Sequence, residues 1–272
     1  MELAVSNIAW SNEEESAVAD KLVELGVKYV EIAPTKIWDD PTRISNDEAL
    51  EYRQWWADRG IEVSAFQSML FSRPDLKLFE SEENRIETVD YMTKFIELAG
   101  VMGAKRMVFG SPKNRQRGEM AMEEAQDIAR DFFSKLGDVA ARNNVVLCLE
   151  PNAPQYNCDF ITTANQGADL VRTVGSGGFG LHLDTACMDL VGDDIECSIL
   201  ESSDILQHYH VSAPMLGEVL SDTDIPHTKA ASALREVGYK GLVSIEMRPG
   251  DVGDNVRRVE DAIRYVKSSY NL

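Results

Sequence analysis

Four side chains that commonly bind metal ions follow four apolar segments in the second half of the chain. They are Glu150, Asp184, His210 and Glu246, in VVLCLEPN, FGLHLDT, LQHYHVS and LVSIEMRPG. Each segment is typical of a buried strand, where a charge without a partner is costly. Their separations of 34, 26 and 36 residues match one strand, one helix and two loops. The pattern predicts one shared metal site, although each acid taken alone could instead cap a loop or form an ion pair.

The same alternation of short apolar strands and longer amphipathic helices continues along the whole chain. Eight strands are predicted, around LAVSNIAW, YVEIAP, EVSAFQS, RMVFGSP, VVLCLEP, FGLHLDT, LQHYHVS and LVSIEMR. Continuous alternation without hairpin signals favours a parallel sheet, and eight units favour closure. We therefore predict an α/β fold, a single (β/α)8 TIM barrel over residues 1–272. In such a barrel the carboxyl ends of the strands carry the reactive groups.

Composition narrows the classes of partner. With 272 residues and 44% hydrophobic content, one large core suffices. A net charge of −19 opposes binding to nucleic acid or to an anionic membrane, and no apolar run is long enough to span a bilayer. The four cysteines show no CxxC spacing, which favours reduced thiols. We expect a cytoplasmic protein with no nucleic-acid or membrane partner.

Strand alternation adds neighbours to the candidate ligands. His182 and His208 each lie two residues before a candidate ligand, and Arg248 lies two residues after one, so each shares a strand face with it. For His208 we favour a core imidazole that is hydrogen-bonded within the barrel. For His182 two alternatives stay open, a core imidazole or a group that orients a ligand or touches the substrate.

Four short motifs carry a resemblance to a known family. LEPN at 149–152, LHLDT at 181–185, HYHVSAP at 208–214 and SIEM at 244–247 resemble the xylose isomerase-like barrel superfamily. The nearest groups are the sugar phosphate isomerases and epimerases, including ketose 3-epimerases and hydroxypyruvate isomerase. The resemblance implies a small-molecule sugar substrate, a homodimer or homotetramer, and one divalent metal ion held by the four candidate ligands. The family usually holds Mn²⁺, Mg²⁺ or Co²⁺, and the oxygen-rich ligand set suits Mn²⁺ or Mg²⁺ better than a structural zinc. Mn²⁺ is the first choice, with Mg²⁺, Co²⁺ or Zn²⁺ as alternatives.

The resemblance also implies a mechanism. A cation that binds a carbonyl oxygen and the adjacent hydroxyl makes the neighbouring C–H acidic, because it stabilises the enediolate charge. Glu150 and Glu246 would act as the acid/base pair on opposite faces of the substrate. Proton return to the same carbon gives epimerisation, and return to the neighbouring carbon gives isomerisation; the sequence leaves both open.

Three alternatives accompany this reading. One is a keto-sugar or keto-inositol dehydratase with His182 or Tyr156 as the acid, and another is a non-catalytic sugar-binding barrel. A DNA endonuclease of the same superfamily is disfavoured, because it needs more histidines than four and a basic face.

Three positions depart from the ketose 3-epimerase pattern. That group has a histidine three residues past the aspartate, an arginine six residues after the metal histidine, and an acid six residues after the first glutamate. Here these positions are Cys187, Leu216 and Tyr156. The four candidate metal ligands are all present, but the positions that contact the sugar in that group carry other residues. This difference disfavours a free hexulose as the substrate. Tyr156 and Cys187 join His182 and Arg248 as substrate-binding candidates.

Further substrate-binding candidates follow strands one to four or precede the last helix: Trp10, Glu31, Gln67, Lys113, Arg115 and His227. Trp10 could stack on a sugar face or pack at the rim. Lys113 and Arg115 could bind a phosphate, carboxylate or nucleotide diphosphate, or could belong to a solvated basic loop. His227 could be an additional ligand or a lid contact, and a surface position is the alternative that we favour. SNIAW, EIAPTKIW, QSMLF and FGSPKNR also resemble a subgroup associated with polysaccharide and nucleotide-sugar gene clusters, which favours an activated or modified sugar.

Overall fold

Eight parallel strands close into one barrel in sequence order. The computed structural model describes residues 1–220 and 224–272. The strands are β1 (Glu2–Ser6), β2 (Tyr29–Ile32), β3 (Glu62–Phe66), β4 (Arg106–Phe109), β5 (Val146–Leu149), β6 (Phe179–Asp184), β7 (Leu206–Ser212) and β8 (Leu242–Glu246). Each predicted strand overlaps one of these, and the predicted (β/α)8 barrel is confirmed.

Ten α-helices lie within the described residues, and the longer ones pack around the barrel. They are α1 (Glu15–Glu24), α2 (Pro34–Ile37), α3 (Asn46–Ala57), α4 (Glu82–Met102), α5 (Met122–Arg142), α6 (Ala164–Val174), α7 (Thr185–Val191), α8 (Ile195–Glu201), α9 (His227–Glu236) and α10 (Asn255–Tyr270). Over residues 1–220 and 224–272, no helix is both long and apolar enough to cross a membrane.

The register of β6 and β7 stacks two layers of polar side chains inside the barrel. His182 is paired with His208, and Asp184 is paired with His210 one step nearer the carboxyl ends. Because alternate residues of a strand share a face, all four point into the barrel. In the next strand pair, Ser212 is opposite Glu246. The sheet thereby places the candidate ligands at its carboxyl end, above a layer of imidazoles.

Candidate metal centre

The four predicted ligands meet at the carboxyl end of the barrel. Ligand atoms of Glu150, Asp184 and His210 lie within 4.8 Å of one another. Oε2 of Glu246 lies 3.3 Å from Nδ1 of His210. The three carboxylates line one cavity of about 200 Å³. Side chains that are as much as 96 residues apart in sequence are therefore brought to one point by four neighbouring strands.

Asp184 is held in place by donors on both of its oxygens. Its Oδ1 accepts the backbone N–H of Cys187 at 2.7 Å, as the N-cap of α7. Its Oδ2 accepts the hydroxyl proton of Ser212. The Ser212 hydroxyl in turn accepts the N–H of Ala186 at 3.1 Å, and the Ser212 N–H donates to Thr185 Oγ1 at 2.8 Å. A carboxylate fixed in this way needs little reordering to bind a cation.

Glu150 packs closely against the backbone of Gly110. A Cβ at Gly110 would collide with Oε2 of Glu150. The thiol of Cys187 donates to Oε1 of Glu150 at 3.8 Å. Burial, with the nearby charges of Glu246 and Asp184, raises the pKa of Glu150 to about 8. Burial and Glu246 also raise the pKa of Asp184. Two carboxyl groups with raised pKa beside the carboxylate of Glu246 form a site to which a positive charge is well matched.

His210 is fixed through Nε2, the ring nitrogen on the side of Glu31, while Nδ1 lies on the side of Glu246. Its Nε2 lies 3.0 and 3.1 Å from the two oxygens of Glu31. Its Nδ1 makes no well-formed hydrogen bond within the described residues. Burial alone would lower the pKa of His210, but Glu31 and Glu246 outweigh it and raise this pKa well above its ordinary value. Three carboxylates and one imidazole nitrogen without a protein partner suit a hard divalent cation.

The other two barrel histidines lie in the layer beneath. Nε2 of His208 donates to Oε2 of the Glu31 carboxylate at 3.0 Å, which agrees with the predicted core hydrogen bond. His182 has no hydrogen-bond partner on either ring nitrogen among the described residues. Its ring packs edge-on against His210, with centroids 4.2 Å apart and planes at 76°. Burial lowers the pKa of His182 well below its ordinary value. His182 is therefore a neutral imidazole beside the His210 ring, and one of its ring nitrogens lies within 4.8 Å of ligand atoms of Glu150, Asp184 and His210.

The three positions that depart from the ketose 3-epimerase pattern all line the cavity: Tyr156, Cys187 and Leu216. The backbone N–H of Met215 donates to the hydroxyl of Tyr156 at 2.9 Å, and the N–H of Arg248 donates to the carbonyl of Leu216 at 2.9 Å. These bonds connect the loops after β5, β7 and β8. The Arg248 side chain is exposed and is not among the residues that line the cavity.

Arg115 has a structural task instead of the predicted binding of a substrate anion. Its side chain is fully buried. Its N–H groups donate to the carbonyls of Gly110, Phe160, Ile161 and Glu150 and to Oδ1 of Asn152. A guanidinium has five N–H groups, and the protein accepts from all three of its nitrogens. Arg115 therefore connects the loops after β4 and β5 through hydrogen bonds that include the backbone carbonyl of Glu150.

We expect Arg115→Met to lower the free energy of unfolding by about 3–5 kcal/mol, because it leaves several buried acceptors without donors. Urea unfolding followed by circular dichroism measures the change. The matched control is Lys113→Met, since Lys113 is exposed two residues away and should change stability by no more than about 0.5 kcal/mol. Equal effects of the two substitutions would contradict this assignment.

Three other candidates are buried away from the residues that line the cavity. Trp10 is fully buried beneath the ammonium of Lys36, which lies 5.2 Å from the ring centroid. Gln67 donates to the hydroxyl of Ser6 at the ends of β3 and β1. His227 begins α9, and its Nδ1 lies 3.2 Å from the hydroxyl of Tyr270. Burial lowers the pKa of His227 to about 4. The structure assigns packing contacts to all three.

Lys113 lies on a wider groove beside the cavity. This groove has a volume of about 470 Å³ and is lined by Leu70, Phe71 and Lys113, among others. It shares Ser111 and Pro112 with the cavity, so the two spaces adjoin each other. Phe71 is 85% exposed and offers an open aromatic surface there.

Two residues of the site were not singled out from the sequence. Ser212 lies two residues after His210, and Asn152 lies two residues after Glu150. Asn152 lines the cavity and donates to the sulfur of Cys187 at 3.7 Å. Alternation applied one step further along each strand would have found Ser212. The loop that carries Asn152 has no such period, so no sequence signal marked it.

A family model described as xylose isomerase-like TIM barrel matches residues 19–269. The chain belongs to this family. Among curated relatives, a putative hydroxypyruvate isomerase of Mus musculus is 28% identical over 159 residues, 56% of this chain and 54% of the relative. A D-psicose 3-epimerase of Ruminiclostridium cellulolyticum is 28% identical over 142 residues, 51% of this chain and 45% of the relative. The xylose isomerase-like chain thus spans about half the length of these relatives.

Solved structures share the whole barrel at low identity. An L-ribulose 3-epimerase superposes with a TM-score of 0.81 at 17% identity, covering 100% of this chain and 95% of that one. The 3-keto-D-glucoside 4-epimerase YcjR of E. coli gives 0.81 at 17%, covering 98% and 99%. A zinc-containing IolI protein gives 0.76 at 22%, covering 99% and 96%. At these identities the likeness establishes the xylose isomerase-like fold.

Proposed function

We propose that the protein is a divalent-metal-dependent sugar epimerase or isomerase. The observation that carries the proposal is the convergence of three carboxylates and a histidine nitrogen on one cavity at the carboxyl end of the barrel. The names of the relatives, a putative hydroxypyruvate isomerase and a D-psicose 3-epimerase, support this class of reaction. Oxygen donors dominate the set, which suits Mn²⁺ or Mg²⁺, and Mn²⁺ is our choice of cation.

Glu150 and Glu246 are proposed as the acid/base pair. Glu150 follows β5 and Glu246 ends β8, so they approach the cavity from strands separated by β6 and β7. One carboxylate removes the proton next to the substrate carbonyl, and the other, as a carboxylic acid, returns a proton from its own side. The bound cation would supply stabilisation of the negative charge that develops on the substrate oxygens. With a pKa of about 8 in the metal-free protein, Glu150 readily holds a proton near neutral pH.

The cavity wall favours a sugar that carries a substituent over a free hexulose. Tyr156, Cys187 and Leu216 offer one hydroxyl, one thiol and an isobutyl group. These three side chains would satisfy fewer sugar hydroxyls than the acid, histidine and arginine that the ketose 3-epimerase pattern has at the same positions, and an unsatisfied buried hydroxyl is costly. The adjoining groove with Phe71 has room for a second group, such as a glycosidic ring stacked on the aromatic face. The name of YcjR, an epimerase of a keto-glucoside, supports this substrate form.

The test is incubation with Mn²⁺ in D₂O against a panel of free ketoses, sugar phosphates and keto-glycosides. We expect deuterium to enter the carbon next to the carbonyl, and an epimer or isomer of unchanged heavy-atom composition to appear, with the highest kcat/KM for a substituted sugar. A protein that binds these sugars without any deuterium incorporation would be the non-catalytic barrel instead.

One observation favours dehydration as a second candidate. The hydroxyl of Tyr156 accepts the N–H of Met215, which leaves its own proton free to point into the cavity. Burial, reinforced by Cys187, raises the pKa of Tyr156, so the phenol remains a proton donor. A phenol so placed could protonate a departing β-hydroxyl. Product mass separates the two reactions, since dehydration removes one water and epimerisation conserves mass.

A further inference from the structure

Glu31 is a fully buried carboxylate with an unusual set of partners. It lies on β2, three strands from β7 around the barrel, and its side chain crosses the interior. Among the described residues, its side-chain hydrogen bonds are with His208 and His210 alone, at 3.0 to 3.1 Å. A buried carboxylate without a Lys or Arg partner lowers the stability of the fold, so we expect Glu31 to have a specific role.

The geometry fixes which nitrogen of each imidazole carries the proton. A carboxylate has no proton to give, so both Nε2 atoms must donate to it. For a neutral His210, the proton on Nε2 leaves a bare lone pair on Nδ1. That atom lies on the side of Glu246, 3.3 Å from its carboxylate, and has no well-formed hydrogen bond in the described residues.

We propose that Glu31 is a positioning residue for the metal centre: it holds His210 in the tautomer that presents Nδ1 to the cation. A metal-bound histidine whose other ring nitrogen donates to a carboxylate is a better oriented and more basic ligand. This inference rests on the metal site of the proposed function and adds a task for a residue that does not line the cavity.

The surrounding rings prevent Glu31 and His210 from turning away from each other. His208 donates a second hydrogen bond to the Glu31 carboxylate. His182 and His208 both pack against the His210 ring at steep angles, 76° and 74°. The carboxylate is thus fixed by two donors, and the ligand ring is fixed by two neighbouring rings.

Glu31→Gln tests the proposal with little change of shape. An amide has one acceptor oxygen where the carboxylate has two, and it carries no negative charge, so it is a weaker acceptor for the two Nε2 protons. Titration of Mn²⁺ into metal-stripped protein by calorimetry is expected to show binding weakened by about 10- to 100-fold. The matched control is Glu14→Gln, because Glu14 is a buried acid with donors of its own from Gly253 and Asn255. Replacement of Glu14 should leave Mn²⁺ affinity unchanged.

A second measurement uses the wild-type chain, so it does not depend on whether a variant folds. The chain has four histidines, which makes ¹⁵N assignment of the imidazoles practicable. In Zn²⁺-loaded protein, we expect metal-shifted Nδ1 and protonated Nε2 at His210. Coordination through Nε2, or equal Mn²⁺ affinity of Glu31→Gln and wild type, would overturn the inference. Wild-type protein that binds neither cation would instead contradict the proposed function itself.

Discussion

Glu246→Gln and Glu150→Gln are each expected to lower kcat by about 10²- to 10⁴-fold, the usual contribution of a general acid or base. Glutamine keeps an oxygen that can bind a cation but cannot accept or deliver the substrate proton. Each variant is assayed at saturating Mn²⁺, so that weaker metal binding does not account for the loss. The fold should persist, because Glu150 and Glu246 border a cavity.

Solvent exchange distinguishes the two glutamates in a way that overall turnover does not. For an epimerisation, one base serves one face of the carbon and the second base serves the other. Each single variant should still exchange solvent deuterium into one epimer but not into the other. The epimer that exchanges should differ between the two variants. Proton NMR of each epimer in D₂O records this. A double variant should exchange neither.

The matched control is Glu62→Gln, an exposed glutamate at the start of β3, at the opposite end of the barrel. It should retain wild-type turnover. Full turnover by both site variants would rule out the two-base scheme, while loss of exchange with both epimers in each single variant would indicate that one carboxylate does all the proton transfer.

The sequence predicted the barrel and the meeting of the four ligands because both follow from local rules. Apolar runs that alternate with helical segments specify parallel strands, and parallel strands place their carboxyl ends on one side. The proximity of Asp184 and His210 follows directly from the sheet, since their strands are neighbours and the two residues are paired. Gly110 shows the limit of that rule, because its contact with Glu150 depends on packing between the two loops.

Roles that depend on contacts across the barrel were not accessible from the sequence. Glu31 was expected to face the mouth with the other strand-end residues, yet its partner His208 lies 177 residues away. Arg115 sits in a basic sequence that is typical of a solvated or anion-binding loop, and burial gives it a structural task instead. Residue type indicates what a side chain can bond to; only the fold decides which acceptors reach it.

Removal of the divalent cation is expected to make stability fall as the pH rises. The folded protein holds the pKa of Glu150 at about 8 against an ordinary 4.5, and it raises those of Asp184 and His210 as well. A raised pKa stabilises the fold fully below the unfolded value, and that stabilisation is lost as the pH climbs through the folded value. For Glu150 the loss runs from about pH 4.5 to 8 and is on the order of a few kcal/mol.

A cation binds the deprotonated ligands, so its effect on stability should run in the opposite direction. Each proton that it displaces raises the apparent affinity by up to about tenfold per pH unit below the relevant pKa. Excess Mn²⁺ should therefore add more to the free energy of unfolding at pH 7.5 than at pH 6, reaching about 4 kcal/mol near a thousand times Kd. Urea unfolding with Mn²⁺ or with EDTA at the two pH values measures this. Glu150→Gln, which cannot titrate at that position, should reduce the pH dependence. Equal stabilisation by Mn²⁺ at both pH values would mean that the buried carboxylates are not the groups that bind it.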